Sequence, residues 1–85
     1  MNDVVTEIRQ CLSSLSPTIL IVEDDSDQHR GHAGAKHGGG HYRIRIVSEK
    51  FRGLSRLEVH RLIYTSLGTL MQQKIHALQL DAQAP

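Results

Sequence analysis

Six histidines and one cysteine are the side chains with the plainest claim to metal chemistry in this 85-residue chain. Four of the histidines fall in "HRGHAGAKHGGGH", residues 29–41, together with five of the seven glycines. Imidazole binds zinc, iron and copper. The spacings from His29 to His32, His37 and His41 match no helical zinc pair, and no cysteine lies nearby. A phosphate cradle is excluded. "GHAGAKHGGG" lacks the Gly-Lys-Ser/Thr step and runs into a strand, where such a cradle requires a helix N-terminus. The segment reads as a flexible hairpin-like connection in which a single histidine can still serve as a ligand. Residues 28–40 are expected to be the least ordered internal stretch, because glycine loses the most conformational freedom on ordering.

The other candidates are more dispersed. His60 lies in the middle of a helical pattern beside Arg61, where a histidine is ordinarily a packed or surface side chain. His76 is the second residue of "IHALQL" and alternates with Leu78 and Leu80, which by itself reads as a histidine at the edge of a core. Cys11, among Ile8, Leu12 and Leu15, reads as a small buried hydrophobe. Between residues 43 and 61 six cations (Arg43, Arg45, Lys50, Arg52, Arg56, Arg61) face only Glu49 and Glu58. That polarity suits an acidic partner or nucleic acid, or simply a solvated face.

The elements that must position these groups are legible from periodicity. Val4, Val5, Ile8, Leu12 and Leu15 recur at helical spacing, with Asn2 or Asp3 available as cap and Pro17 as the stop. "TILIVED" is a β-branched run of strand length. From His41 the chain alternates strictly, with Tyr42, Ile44 and Ile46 on one face and His41, Arg43 and Arg45 on the other. Ser55 and Glu58 stand at capping-box spacing before a helix whose apolar face is read as Leu57, Ile63, Leu67, Leu70 and Met71, weakened at Gly68 and ending or bending near Gln72. "IHALQL" closes the pattern as a strand with His76, Leu78 and Leu80 on one side and Ile75, Ala77 and Gln79 on the other. The class is α+β, in the order α-β-β-α-β: a three-stranded sheet with helices on one face.

Composition narrows the function classes. A domain of this length buries only about 60–65% of its unfolded surface, which leaves little room for a deep substrate pocket and argues against an enzyme. The net charge of +1 is far from that of a strongly basic nucleic-acid binder. One cysteine excludes an internal disulfide framework and fits a reducing compartment. No apolar run approaches the ~18 residues of a membrane span, and no targeting peptide is visible. A soluble cytoplasmic module comprising residues 1–85 is the expectation.

Three segments together resemble the BolA family: "VEDDSDQH" through the glycine stretch to "HYRIRIVSEKFRG"; "SRLEVHRLIY", close to the family's Arg-His-Arg-x-Val-Tyr; and "IHALQL" followed by Pro85. The likeness spans residues from about 3 to 85. It implies a fold similar to a type-II KH domain, partnership with monothiol glutaredoxins, and a [2Fe-2S] cluster shared with the glutaredoxin and glutathione. It further implies that His76 is one ligand. The other is a loop histidine, placed at His29 by the Asp-x-Ser frame, with His32 as the alternative. Where the family carries an arginine before the helix histidine, this chain has Val59.

Coordination chemistry points the same way, since a [2Fe-2S] cluster needs four ligands and this chain offers two good candidates. The implied role is an assembly or regulatory adaptor in iron-sulfur trafficking or iron sensing. The competing reading is a DNA- or RNA-binding regulator using Arg52, Arg56, His60 and Arg61, although the Gly-x-x-Gly clamp of KH domains is absent from "EKFRGLSRLE". A third is a histidine-loop metal binder without a cluster.

Overall fold

The computed structural model describes residues 3–25 and 40–85. The expected loop ligands His29 and His32, the stretch 28–39 and the alternative cap Asn2 lie outside the described residues. Helix α1 spans Val4–Leu12, strand β1 Ile19–Asp24, strand β2 Gly40–Val47, helix α2 Arg56–Leu67, a one-turn helix α3 Leu70–Gln73, and strand β3 Ile75–Gln83. The sheet order is β1-β2-β3, with β1 antiparallel and β3 parallel to the central β2. The parallel β2–β3 pair requires a crossover, and α2 and α3 supply it.

Local chemistry starts and stops the helices. The Asp3 side chain accepts from the Thr6 N–H at 2.7 Å and caps α1. Backbone and side-chain hydrogen bonds from Thr6 hold the Asp3 carboxyl below its usual range. A short 3-10 turn, Ser13–Leu15, follows and ends at Ser16 before Pro17. At the start of α2 the box is complete. The Ser55 hydroxyl accepts from the Glu58 N–H at 3.1 Å, and the Glu58 carboxylate accepts from the Ser55 N–H at 2.9 Å.

Helix α2 ends earlier than its apolar pattern suggests. Gly68 takes φ of +58° and its N–H donates to the Tyr64 carbonyl, so the chain breaks there rather than near Gln72 and α3 begins afresh. The apolar face is also corrected. Leu57 is 59% exposed, whereas Val59, Ile63 and Leu67 are buried, because positions four apart share a stripe that Leu57 misses. Val59 is thus a core residue.

One face of the sheet receives all three helices. Ile44, Ile46 and Tyr42 of β2 meet Ile8, Leu12 and Leu15 from the first helical segment, Val59, Ile63 and Leu67 from α2, and Leu70 and Ile75. Cys11 packs half-buried against this core, as its apolar neighbours suggest. The opposite face exposes Arg43 and Arg45, with Gln79 and Asp81 beside them on β3.

Candidate functional site

His76 sits where the β2–β3 ladder slips. Gly40 pairs with Ile75 and His41 pairs with Ala77, so His76 is an extra residue with no opposite number on β2. A bulge of this kind re-aims a side chain. Its effect is to send Ile75 into the core at 5% exposure, while His76 is exposed and Leu78 and Leu80 pack against the core from further along. The expected alternation, with His76 on the face of Leu78 and Leu80 and Ile75 opposite, is therefore overturned. A period-2 reading cannot anticipate an inserted residue.

The bulge is anchored on both sides. The Gly40 N–H donates to the Lys74 carbonyl at 3.1 Å, and the Lys74 ammonium reaches both carboxylate oxygens of Glu7 at 3.0 Å. A Cβ at Gly40 would fall 2.5 Å from the Tyr42 ring, so only glycine lets the strand begin this close beneath the tyrosine. His76 makes no side-chain hydrogen bond among the described residues. Its imidazole lies against that of His41, with ring centroids 5.2 Å apart and planes inclined at 58°. His41 is half-buried on the outer sheet face. Sequence reasoning placed it on that face and gave it no role; the signal available was its position at the mouth of the glycine run.

The basic residues do not form one patch. Arg43 reaches Asp25 at 3.5 Å and Gln79 at 3.2 Å, and Arg45 lies 3.9 Å from Asp81, all on the outer sheet face. Lys50 donates to the Ser14 carbonyl. Arg52 is chelated by the Glu49 carboxylate at 2.8 and 3.1 Å and also donates to the Pro85 main-chain oxygen. The Arg52 hydrogen bond holds the Glu49 carboxyl below its usual range.

Arg52, Arg56 and His60 line a cleft of about 530 Å³ with Leu54, the end of β3 from Leu80 to Gln83, and Ala84 just beyond it. His60 is half-buried and stands edge-on to Tyr64, with ring centroids 6.5 Å apart. Arg61 is exposed on α2, close enough to Glu58 to help hold that carboxyl low after the dominant Ser55 hydrogen bonds. The β3 residues of the cleft lie four to seven positions beyond His76, about 13–23 Å away at the rise of a strand. The histidine pair and the basic cleft are two separate places.

Comparison with known proteins agrees with this architecture. The family model for BolA-like proteins matches residues 12–85. The chain is 38% identical over 74 residues to the chloroplastic protein BOLA1 of Arabidopsis thaliana, covering 84% of this chain and 46% of that one. It is 42% identical over 76 residues to the chloroplastic/mitochondrial SufE-like protein 1 of the same plant, covering 84% of this chain and 20% of that protein. The chain thus spans about a fifth to a half of the length of these two relatives. In solved structures, BolA1 from Arabidopsis thaliana superposes with a TM-score of 0.86 at 34% identity, covering 100% of this chain and 95% of that one. An α+β domain with a parallel β2–β3 pair, a bulge near the start of its last strand and these similarities belongs to one class. The chain is a member of the BolA-like family.

Proposed function

We propose that this chain is an adaptor, not an enzyme, that binds a monothiol glutaredoxin and shares a [2Fe-2S] cluster with it and with glutathione in a reducing, cytoplasmic setting. Its work is iron-sulfur cluster trafficking or iron and redox regulation. The observation that carries this reading is His76: an exposed imidazole, set out from the core by a bulge on a well-anchored strand and engaged in no side-chain hydrogen bond among the described residues. A ligand offered to a partner needs that combination of rigidity and exposure.

The donor set fits a shared cluster. A [2Fe-2S] cluster needs four ligands, and with two from this chain a partner completes the set. His76 is the ligand from β3, and His29, with His32 as alternative, is the ligand from the stretch outside the described residues. Imidazole in place of thiolate raises the cluster's reduction potential and makes its binding sensitive to protonation. Glu7 and Lys74 fix the start of β3, and Gly40 fixes the register that turns His76 outward.

Anaerobic co-purification with a Cys-Gly-Phe-Ser glutaredoxin and glutathione tests the reading. Visible absorption and circular dichroism bands that differ from those of the glutaredoxin alone are expected. A glutaredoxin that neither binds the chain nor changes its spectrum in its presence contradicts it.

A second reading is a DNA- or RNA-binding regulator, favoured by the exposed Arg56 and Arg61 on α2 beside the 530 Å³ cleft. The pairing of Arg43, Arg45 and Arg52 with acids weakens it, because each pair removes a cation from phosphate contact.

A further inference from the structure

We propose that His41 and His76 together form a chelating site for a single divalent late-transition-metal ion, Zn2+ or Cu2+, on the outer face of the sheet. Two imidazoles bound to one tetrahedral ion at metal–nitrogen distances of about 2.0–2.1 Å have ring centroids about 5 Å apart. The observed separation is 5.2 Å, and the 58° inclination rules out a stacked pair. A tilted contact at this distance also occurs between ordinary aromatic rings. The surroundings decide for a chelate. His76 is exposed and His41 half-buried, so neither ring is enclosed in the core. His41 is on the central strand, and its carbonyl accepts from the Asp25 N–H at 2.8 Å while β3 pairs along its other side. His76 stands on the bulge across from it. Both backbones are therefore held on the ladder, so only side-chain rotation remains to be ordered on binding.

Among the described residues no third ligand stands close enough to enclose an ion. A recess of about 280 Å³ lined by Asp25, His41, Arg43, Ala77 and Gln79 adjoins the His41 side of the pair and leaves space for water ligands. Neutral nitrogen donors with open positions favour Cu2+ over Zn2+ and both over Mg2+ or Ca2+. The site uses His76, which is also the proposed cluster ligand, but needs no glutaredoxin, so the isolated chain tests it independently of the cluster reading.

The test is titration of the isolated chain with zinc chloride, followed through the imidazole 15N resonances. It is done on the chain as it stands and on a variant with His29, His32 and His37 replaced by Asn. In both, the ring nitrogens of His41 and His76 are expected to shift together and to saturate at one equivalent, with His60 unmoved. His41→Phe is expected to weaken zinc binding in the loop-substituted chain at least about tenfold, since losing a ligand costs no less than losing an outer-shell partner. Zinc taken only by the loop histidines, or His76 shifting while His41 does not, overturns the site. An undiminished affinity in His41→Phe does so as well. The resonance readout needs no substitution at either histidine, so a variant that fails to fold leaves the proposal open to refutation.

Discussion

The hydroxyl of Ser48 donates to the carbonyl of Leu15 at 2.6 Å, in a place where Ser48 has no exposed surface. This bond joins the end of β2 to the turn that follows α1, across 33 residues of sequence. The same oxygen accepts from the Lys50 N–H at 3.1 Å and starts the 3-10 turn that brings Phe51 into the core. Ser48→Ala leaves both groups without that partner and is expected to destabilise the fold by about 1–3 kcal/mol. Chemical denaturation of the two proteins checks it; an unchanged midpoint would show that the bond carries no weight.

Ser55→Ala removes the hydroxyl half of the α2 capping box and is expected to cost about 0.5–2 kcal/mol, without altering metal or cluster spectra. Thermal unfolding measures the first and visible spectroscopy the second.

The same box predicts a pH dependence. Hydrogen bonds from Ser55 hold the Glu58 carboxyl below the ordinary glutamate value. A carboxylate depressed in the folded state contributes stability that is full above its unfolded pKa and is lost as pH falls through the folded one. Asp3 and Glu49 are depressed as well, so the whole domain weakens on acidification and the box must be isolated by difference. The stability gap between the protein and Glu58→Gln is expected to be widest near neutral pH and to close below the ordinary glutamate range. A gap that widens on acidification contradicts the assignment.

Much of this architecture is legible in the sequence. The cap at Asp3, the alternation through Ile44 and Ile46, and the Ser55–Glu58 box are all local signals, and each element forms where its signal lies. What periodicity misread depends on contacts between elements. Leu57 has the right residue type but the wrong angle on α2, and Val59, left out of the expected apolar face, fills the core. The bulge at His76 arises from the register of two strands 35 residues apart, which no single stretch of sequence encodes. The basic run from 43 to 61 is continuous in sequence, but the fold divides it between the outer sheet face and α2.

Gly40 tests the geometry beneath that bulge. A methyl group at this position meets the Tyr42 ring, so Gly40→Ala is expected to cost about 1–3 kcal/mol as the tyrosine or the strand shifts. Backbone amide resonances of His41, His76 and Ala77 are expected to move with it. A fully stable Gly40→Ala protein with those resonances in place is the contrary result.

Nucleic-acid binding, where it occurs, is expected to be weak, indifferent to sequence and strongly reduced by salt, because Arg56 and Arg61 can meet phosphates but no base-reading motif accompanies them. Fluorescence anisotropy with unrelated duplexes over a range of salt measures it. Tight binding to one sequence at physiological salt, abolished by base changes, would raise the regulator reading above the adaptor.

The central claim rests on His76 as a ligand rather than a structural residue, and His76→Ala in the glutaredoxin complex separates the two. A structural imidazole takes about 1–3 kcal/mol of stability with it when removed, as an unpaired group or cavity is left behind. An exposed ligand leaves the isolated domain nearly unaffected. The complex is expected to form still, to lose or alter its cluster absorption and circular dichroism, and to show a melting temperature for the isolated chain close to that of the parent. His29→Ala is expected to give a milder spectral change, with His32 able to substitute. An unchanged cluster spectrum in His76→Ala would contradict the account and move the ligand elsewhere in the chain.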